Sequence, residues 1–256
     1  MTQSHARTVW TITGKDAPTF LQGLVSNDLR PLETASGIIW AALLTPQGKY
    51  LADFLVVRLP DGPLLIDIAT PLAPDTLRRL TMYRLRADVQ IAPAALTVSR
   101  GIGDAPEGAL PDPRHPALGW RLYGPQDRSE AGIDWDAIRV RHVIPESGIE
   151  LVPDDTYILE AGFERLHGVD FRKGCYVGQE VTARMKHKTE RRKGLVQVVV
   201  DGVAPVGTEI LADGKAAGTL FTQADGHGIA YLRFDRAAQP LQAGSARVSL
   251  TEPQPD

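Results

Sequence analysis

The chain has 256 residues, enough for one large domain or two to three small ones, and its 43% apolar and 23% charged residues are ordinary for a globular protein. A formal charge of −3 is too balanced to imply a polyanionic partner from bulk charge, and a single cysteine excludes an intrachain disulfide framework and fits a reducing, cytoplasmic compartment. No apolar run approaches the roughly 20 residues that span a bilayer, and Met1 to Arg7 lack an apolar signal core, so no membrane association is expected.

Asp16 to Val25 reads as a helix capped by Asp16, with Pro18 tolerated in its first turn and Phe20, Leu21, Leu24 and Val25 as its apolar stripe. Ile38–Leu44 and Leu51–Leu59 read as strands, and Thr45-Pro46-Gln47-Gly48-Lys49 between them is turn chemistry, so a β-hairpin is predicted. A strand at Leu64–Ile68 precedes a helix with Leu77, Leu80 and Tyr83 on one face and Asp75 as its cap. Strands follow at Val89–Ile91, Leu96–Ser99 and within Ala117–Tyr123. Together these predict an α+β layer pair, an antiparallel sheet with a helix on one face.

Gly101 to Pro116 reads as an exposed loop, and Trp135–Val143 as a short helix that stops before Pro145. Glu146 to Glu164 carries six acids and no Lys or Arg, whereas Arg184 to Lys193 carries six bases against Glu190. The basic run has two readings, an anion or RNA site and a solvated linker facing the acidic segment. The aromatic residues that would interleave in a single-strand platform are missing, so nucleic acid is not expected as a partner. From Gly194 onward, short strands punctuated by Asp-Gly pairs predict a small all-β barrel or sandwich.

No dinucleotide fingerprint, Walker loop or HExxH spacing occurs, and the six histidines show no paired-ligand spacing, so no metal site is expected. The chemistry concentrates in Lys173-Gly174-Cys175-Tyr176-Val177-Gly178-Gln179-Glu180. Arg172 and Lys173 beside Cys175 would favour its thiolate. Gly174 and Gly178 allow unusual backbone angles, and Tyr176 offers a ring for stacking. Glu180 and Arg184 stand at i, i+4 in a predicted helix, Gln179–Lys186, where they could pair. The bland reading is a small buried cysteine in a glycine-shaped turn with a surface ion pair behind it.

This octet, followed by Ala183-Arg184, resembles the signature of the YgfZ-type folate-binding proteins, which are related to the aminomethyltransferase (T-protein) of the glycine cleavage system. Phe20-Leu21-Gln22-Gly23-Leu24-Val25-Ser26-Asn27-Asp28 and Leu44-Thr45-Pro46-Gln47-Gly48-Lys49 are similar to two further stretches of that family. The resemblance implies a three-domain T-protein-like cloverleaf around a hole that receives tetrahydrofolate. Residues 1–40 and 135–190 would form a discontinuous first domain, 41–134 a ferredoxin-like α+β domain, and 191–256 a C-terminal barrel. It implies a role in assembly or repair of iron–sulfur proteins, with client proteins or assembly machinery as partners. By the same resemblance Cys175 is the key residue, and Lys173, Tyr176, Gln179, Glu180 and Arg184 shape its environment near the folate. Arg141 stands where T-proteins carry a pterin-gripping glutamate, and Asp75 falls near their catalytic aspartate. Folate-dependent aminomethyl transfer is the alternative activity.

Overall fold

The computed structural model describes residues 6–188 and 191–251. Five strands, β1 (Arg7–Thr13), β2 (Gly37–Leu44), β3 (Tyr50–Arg58), β4 (Leu64–Ala69) and β5 (Gln90–Pro93), form an antiparallel sheet in the order β2-β3-β4-β1-β5. Both faces of this sheet are covered, which is why β2, β3 and β4 read as nearly continuous apolar runs rather than alternating ones. Ala41, Leu43, Phe54, Val56, Ile66 and Ile68 pack into one core with helices α1 (Ala17–Gln22), α2 (Pro31–Thr34) and α3 (Ala73–Arg84). Trp40, Ala42, Leu44, Tyr50, Leu55 and Val57 face a second core completed by Leu118, Tyr123, Ile144, Phe163 and Leu166.

The boundary expected between residues 40 and 41 falls inside β2, and β1 and β2 hydrogen-bond into the same sheet as β3 to β5. Strand β1 carries no distinctive run, yet Val9, Trp10 and Ile12 are buried and the strand pairs with both β4 and β5. The strand expected at Val89–Ile91 joins this sheet as β5, whereas those expected at Leu96–Ser99 and within Ala117–Tyr123 form a separate one. There β6 (Thr97–Gly101), β7 (Leu110–Pro111) and β8 (Trp120–Gly124) run in the order β6-β8-β7. The loop expected to be exposed between Gly101 and Pro116 therefore contains a strand, and it buries Asp112 and Arg114.

Two expected helix caps are replaced. Asp16 makes no side-chain bond to α1, and its carboxylate accepts from the Asp88 backbone N–H at 2.8 Å. Asp75 lies inside the first turn of α3, because a 3-10 turn at Thr70–Leu72 runs directly into that helix. The helix before Pro145 forms as α4 (Trp135–His142), capped by the Asp134 carboxylate accepting from Ala137 N–H at 2.9 Å.

Helix α5 (Gln179–Lys188) follows the octet. The C-terminal strands β9 (Lys193–Asp201), β10 (Thr208–Ala212), β11 (Lys215–Ala224), β12 (His227–Arg233), β13 (Leu241–Ala243) and β14 (Ala246–Leu250) close into a barrel. Asp213-Gly214 and Asp225-Gly226 take positive φ at both residues, the backbone that matches a two-residue hairpin to strand twist. Among the described residues no helix is long and apolar enough to cross a membrane.

Candidate functional site

The octet is held on a scaffold built from distant segments. Ser26 is fully buried; its hydroxyl donates to the Gly168 carbonyl at 2.6 Å and accepts from Ala42 N–H at 2.9 Å. The Asn27 amide donates to the carbonyls of Trp40 and His167 at 2.8 and 2.7 Å. The Asp28 carboxylate, gripped by Arg30 and also bonded by Gln22, is held down at about 2. These contacts fasten residues 167–170, which lead into the octet, against α1 and β2.

Within the octet the side chains divide sharply. Lys173 is buried and its ammonium donates to the carbonyls of Gln22 and Val25, both at 2.5 Å, where α1 ends and leaves carbonyls without helical partners. Burial pushes its pKa down to about 8. The ammonium also lies 5.0 Å from the centre of the Tyr176 ring, which is buried in the second core. Between these two anchored side chains Gly174, at φ +98°, turns the chain, and Cys175 is exposed. Lys173 and Tyr176 thus face the interior while the thiol faces outward.

Gly178 fixes the other end. It adopts φ +85°, and a Cβ there would stand 2.6 Å from the Thr45 carbonyl oxygen. Reciprocally, a Cβ on Gly48 would lie 2.9 Å from the Cβ of Val181. The Thr45–Lys49 turn and the start of α5 therefore meet through two glycines. Gln179 is half-buried, whereas Glu180 and Arg184 are exposed and do not form the expected ion pair. Water competes effectively for such a pair, whose worth at an exposed site is about 0–1 kcal/mol.

This arrangement makes a stability contrast. Lys173→Met should cost about 1–3 kcal/mol, the penalty of leaving buried carbonyls unbonded, whereas Cys175→Ala should stay within about 0.5 kcal/mol because the thiol is exposed. Urea unfolding of the two variants against the parent measures both.

The basic run is partly neutralised by the acidic segment. Lys186 pairs with Glu164, and Lys193 lies 3.7 Å from Glu160. Thr189 and Glu190 lie outside the described residues. Arg141 is exposed on the last turn of α4 and lines a cavity of about 490 Å³ with His142, Gln197 and His227. Asp75 is exposed and pairs with Arg78 at 3.0 Å.

A second feature was invisible in the motifs. Asp67 on β4, fully buried, accepts from Arg7 Nε at 2.6 Å, Arg121 Nη1 at 3.1 Å and the Tyr123 hydroxyl at 2.9 Å. Arg121 also reaches Asp112 at 2.8 Å, and Arg114 donates to both oxygens of Asp112. Burial pushes these two carboxyls up, but the arginines outweigh it and hold both below the usual range. Farther along, Arg139 donates to Glu150 at 2.9 Å and to Thr222 on β11 at 2.8 Å, linking α4 to the barrel.

This network borders a cavity of about 470 Å³, lined among others by Arg7, Arg100, Arg121, Trp135, Arg139 and Glu146. That volume is in the range of small-molecule sites, roughly 300–1,000 Å³. None of Lys173, Cys175, Tyr176, Gln179, Glu180 and Arg184 lines it. The sequence signal that would have found it is a lone charge inside an apolar strand, as in Leu64-Leu65-Ile66-Asp67-Ile68-Ala69, since such a charge is buried only when paired. Among the described residues no group of three or more His, Cys, Asp or Glu is placed to hold a metal ion.

Residues 192–255 match the model for the CAF17 C-terminal beta-barrel domain. Over nearly its whole length the chain is 30% identical to the human mitochondrial iron–sulfur cluster assembly factor IBA57, covering 98% of this chain and 83% of that protein. The chain belongs to the IBA57 family. The mouse relative is 29% identical over 96% of this chain. A homologue from Mycosarcoma maydis is 31% identical over 74% of it, and there the match spans 54% of the relative's own length. These IBA57 relatives are named as mitochondrial, which differs from the cytoplasmic compartment expected from the sequence. The fold is that of the glycine cleavage system aminomethyltransferase T from Bartonella henselae, with a TM-score of 0.71 over 94% of this chain at 13% identity. The T-protein-like α+β architecture with a closed C-terminal barrel is thus shared between this IBA57-family chain and that enzyme.

Proposed function

We propose that this protein is an accessory factor in the assembly or repair of iron–sulfur proteins, that it acts through the Cys175 thiol, and that a reduced folate is its small-molecule ligand. The observation that carries the reading is the exposure of Cys175 between two side chains turned inward, Lys173 and Tyr176. A thiol presented on so constrained a loop can meet a partner's cluster or sulfur without rearrangement of the backbone. The names of the relatives supply the process in which such a thiol would act. Lys173 and Tyr176 serve as positioning residues, while Gln179, Glu180 and Arg184 form the rim a partner would approach.

The folate part of the reading rests on the cavity beside Trp135. Its lining combines guanidinium and carboxylate groups with the Trp135 ring, over which Arg100 lies, a set of groups suited to a polar ligand with an acidic tail. The folate would bring one-carbon chemistry, and the chain's own residues there bind and orient. Aminomethyl transfer finds less support, since Asp75 sits at the surface paired to Arg78 and does not line this cavity. RNA binding through the basic run is disfavoured by the Glu164 and Glu160 pairings.

In cells whose only copy carries Cys175→Ala, the activity of [4Fe–4S] enzymes should fall to that of cells lacking the protein, with the variant present at normal abundance. Normal cluster-enzyme activity in that strain would remove the thiol from the proposal.

A further inference from the structure

Arg100 on β6 stands directly opposite Arg121 on β8. Like charges so placed repel, and each needs an acid to offset the other. Arg121 has two, Asp67 and Asp112. Arg100 has none: no hydrogen bond or ion pair among the described residues involves its guanidinium, and its Nε is buried without a partner. The guanidinium carbon instead lies 3.9 Å from the centre of the Trp135 ring. The cation–π contact engages the group through the ring and leaves its N–H groups without a hydrogen-bond partner among the described residues. Both residues line the 470 Å³ cavity.

We propose that this cavity is an anion-recognition site in which Arg100, held over the Trp135 ring, receives a carboxylate of a small organic ligand. This rests on the reading of the cavity as a ligand pocket and names the group recognised in it. A guanidinium edge matches a planar carboxylate through two parallel N–H···O bonds. The other charged groups of the lining favour a carboxylate over a phosphate dianion. Arg7, Arg121 and Arg139 are already engaged by Asp67, Asp112 and Glu150, while Glu146, Asp136, Asp127 and Glu130 add negative charge around the same space. Glu130 is spent on the backbone N–H groups of Ile102 and Gly103. The state of Arg100 agrees: burial, then Arg121 and Arg114, push its pKa down to about 9, a strain that an arriving anion relieves.

The test is calorimetric titration of the full chain, parent and Arg100→Gln, with N-(p-aminobenzoyl)glutamate, its diamide, inorganic phosphate and 5-formyltetrahydrofolate. The acid should bind the parent and lose about tenfold or more in Arg100→Gln, as expected for a hydrogen bond to a charged group, with partial recovery in Arg100→Lys. The diamide should bind parent and variant equally weakly. Equal binding of the acid to parent and Arg100→Gln, no binding of the acid to the parent, or phosphate binding as tightly as the acid would each overturn the proposal. If 5-formyltetrahydrofolate binds parent and variant alike, the folate reading stands and the carboxylate clamp falls. If the acid binds in an Arg100-dependent way and 5-formyltetrahydrofolate does not bind, the clamp stands and the folate reading falls. Arg100→Gln should also melt no lower than the parent, because it removes an unpaired cation; a marked loss of stability would mean a structural partner and would likewise overturn the proposal.

Discussion

Arg121→Met will destabilise the protein by about 3–5 kcal/mol, the cost of leaving a buried ion without its partner. Arg121 is the bridge between two carboxylates, Asp67 and Asp112, whose side chains are both inaccessible to solvent. Methionine fills a similar volume, so the loss reports charge and hydrogen bonding rather than a cavity. Urea unfolding at neutral pH, followed by tryptophan fluorescence, measures it. The pH dependence gives an independent check. Both carboxyls sit below the ordinary value of 3.8 in the folded protein, so their stabilisation is complete above that pH and is lost as pH falls through the lowered folded values. In Arg121→Met the same carboxyls lose a cation and their folded pKa values rise. The gap between parent and variant should therefore narrow on acidification below about pH 4. A gap that stays constant would mean that the loss does not come from the charge on these two carboxylates.

Gly178→Ala is the second large effect. A left-handed residue with a Cβ costs about 1–2 kcal/mol, and forcing atoms into a packed region adds about 1–3 kcal/mol. Both apply here, since the new Cβ would stand 2.6 Å from the Thr45 carbonyl oxygen and 3.0 Å from the Leu44 Cβ, neither of which is the end of a flexible side chain. Gly174→Ala is the control: its φ is +98°, but no atom lies within 4 Å of the added Cβ, so only the backbone cost applies. The two variants should separate by the packing contribution alone in urea unfolding. Gly178→Ala should also reduce cluster-enzyme activity more than its stability loss explains, because the displaced turn carries Cys175 with it. Equal effects of the two substitutions would show that the meeting of the two turns is loose.

What the sequence made legible was local. The β2–β3 hairpin, α4 and the barrel strands each rest on periodicity or turn chemistry within a dozen residues, and all formed close to their expected positions. The octet was legible as a unit, but the direction of its side chains was not. Lys173 and Tyr176 read as exposed chemistry, yet Lys173 bonds the carbonyls where α1 ends, about 150 positions away, and Tyr176 fills the second core. The same holds for caps: Asp16 looked local to α1 but bonds across to Asp88. The buried network was the least legible, since Arg7, Asp67, Asp112 and Arg121 become neighbours only when two sheets meet. A charge isolated in an apolar strand shows that a partner exists; the identity of that partner is a property of the tertiary fold.

The tie between Ser26 and Gly168 spans 142 positions of chain. The entropy of closing such a span is lost before the contact offsets it, and the contact cannot form until both segments exist. During synthesis, β1 to β5 can pair while the octet is still unmade, since they all lie in the first 93 residues. The residues that seat the cysteine loop are therefore synthesised before the loop itself. The thiol acquires its fixed presentation only once the chain has emerged beyond Gly178, so a nascent or truncated protein would carry the scaffold without the working display of Cys175.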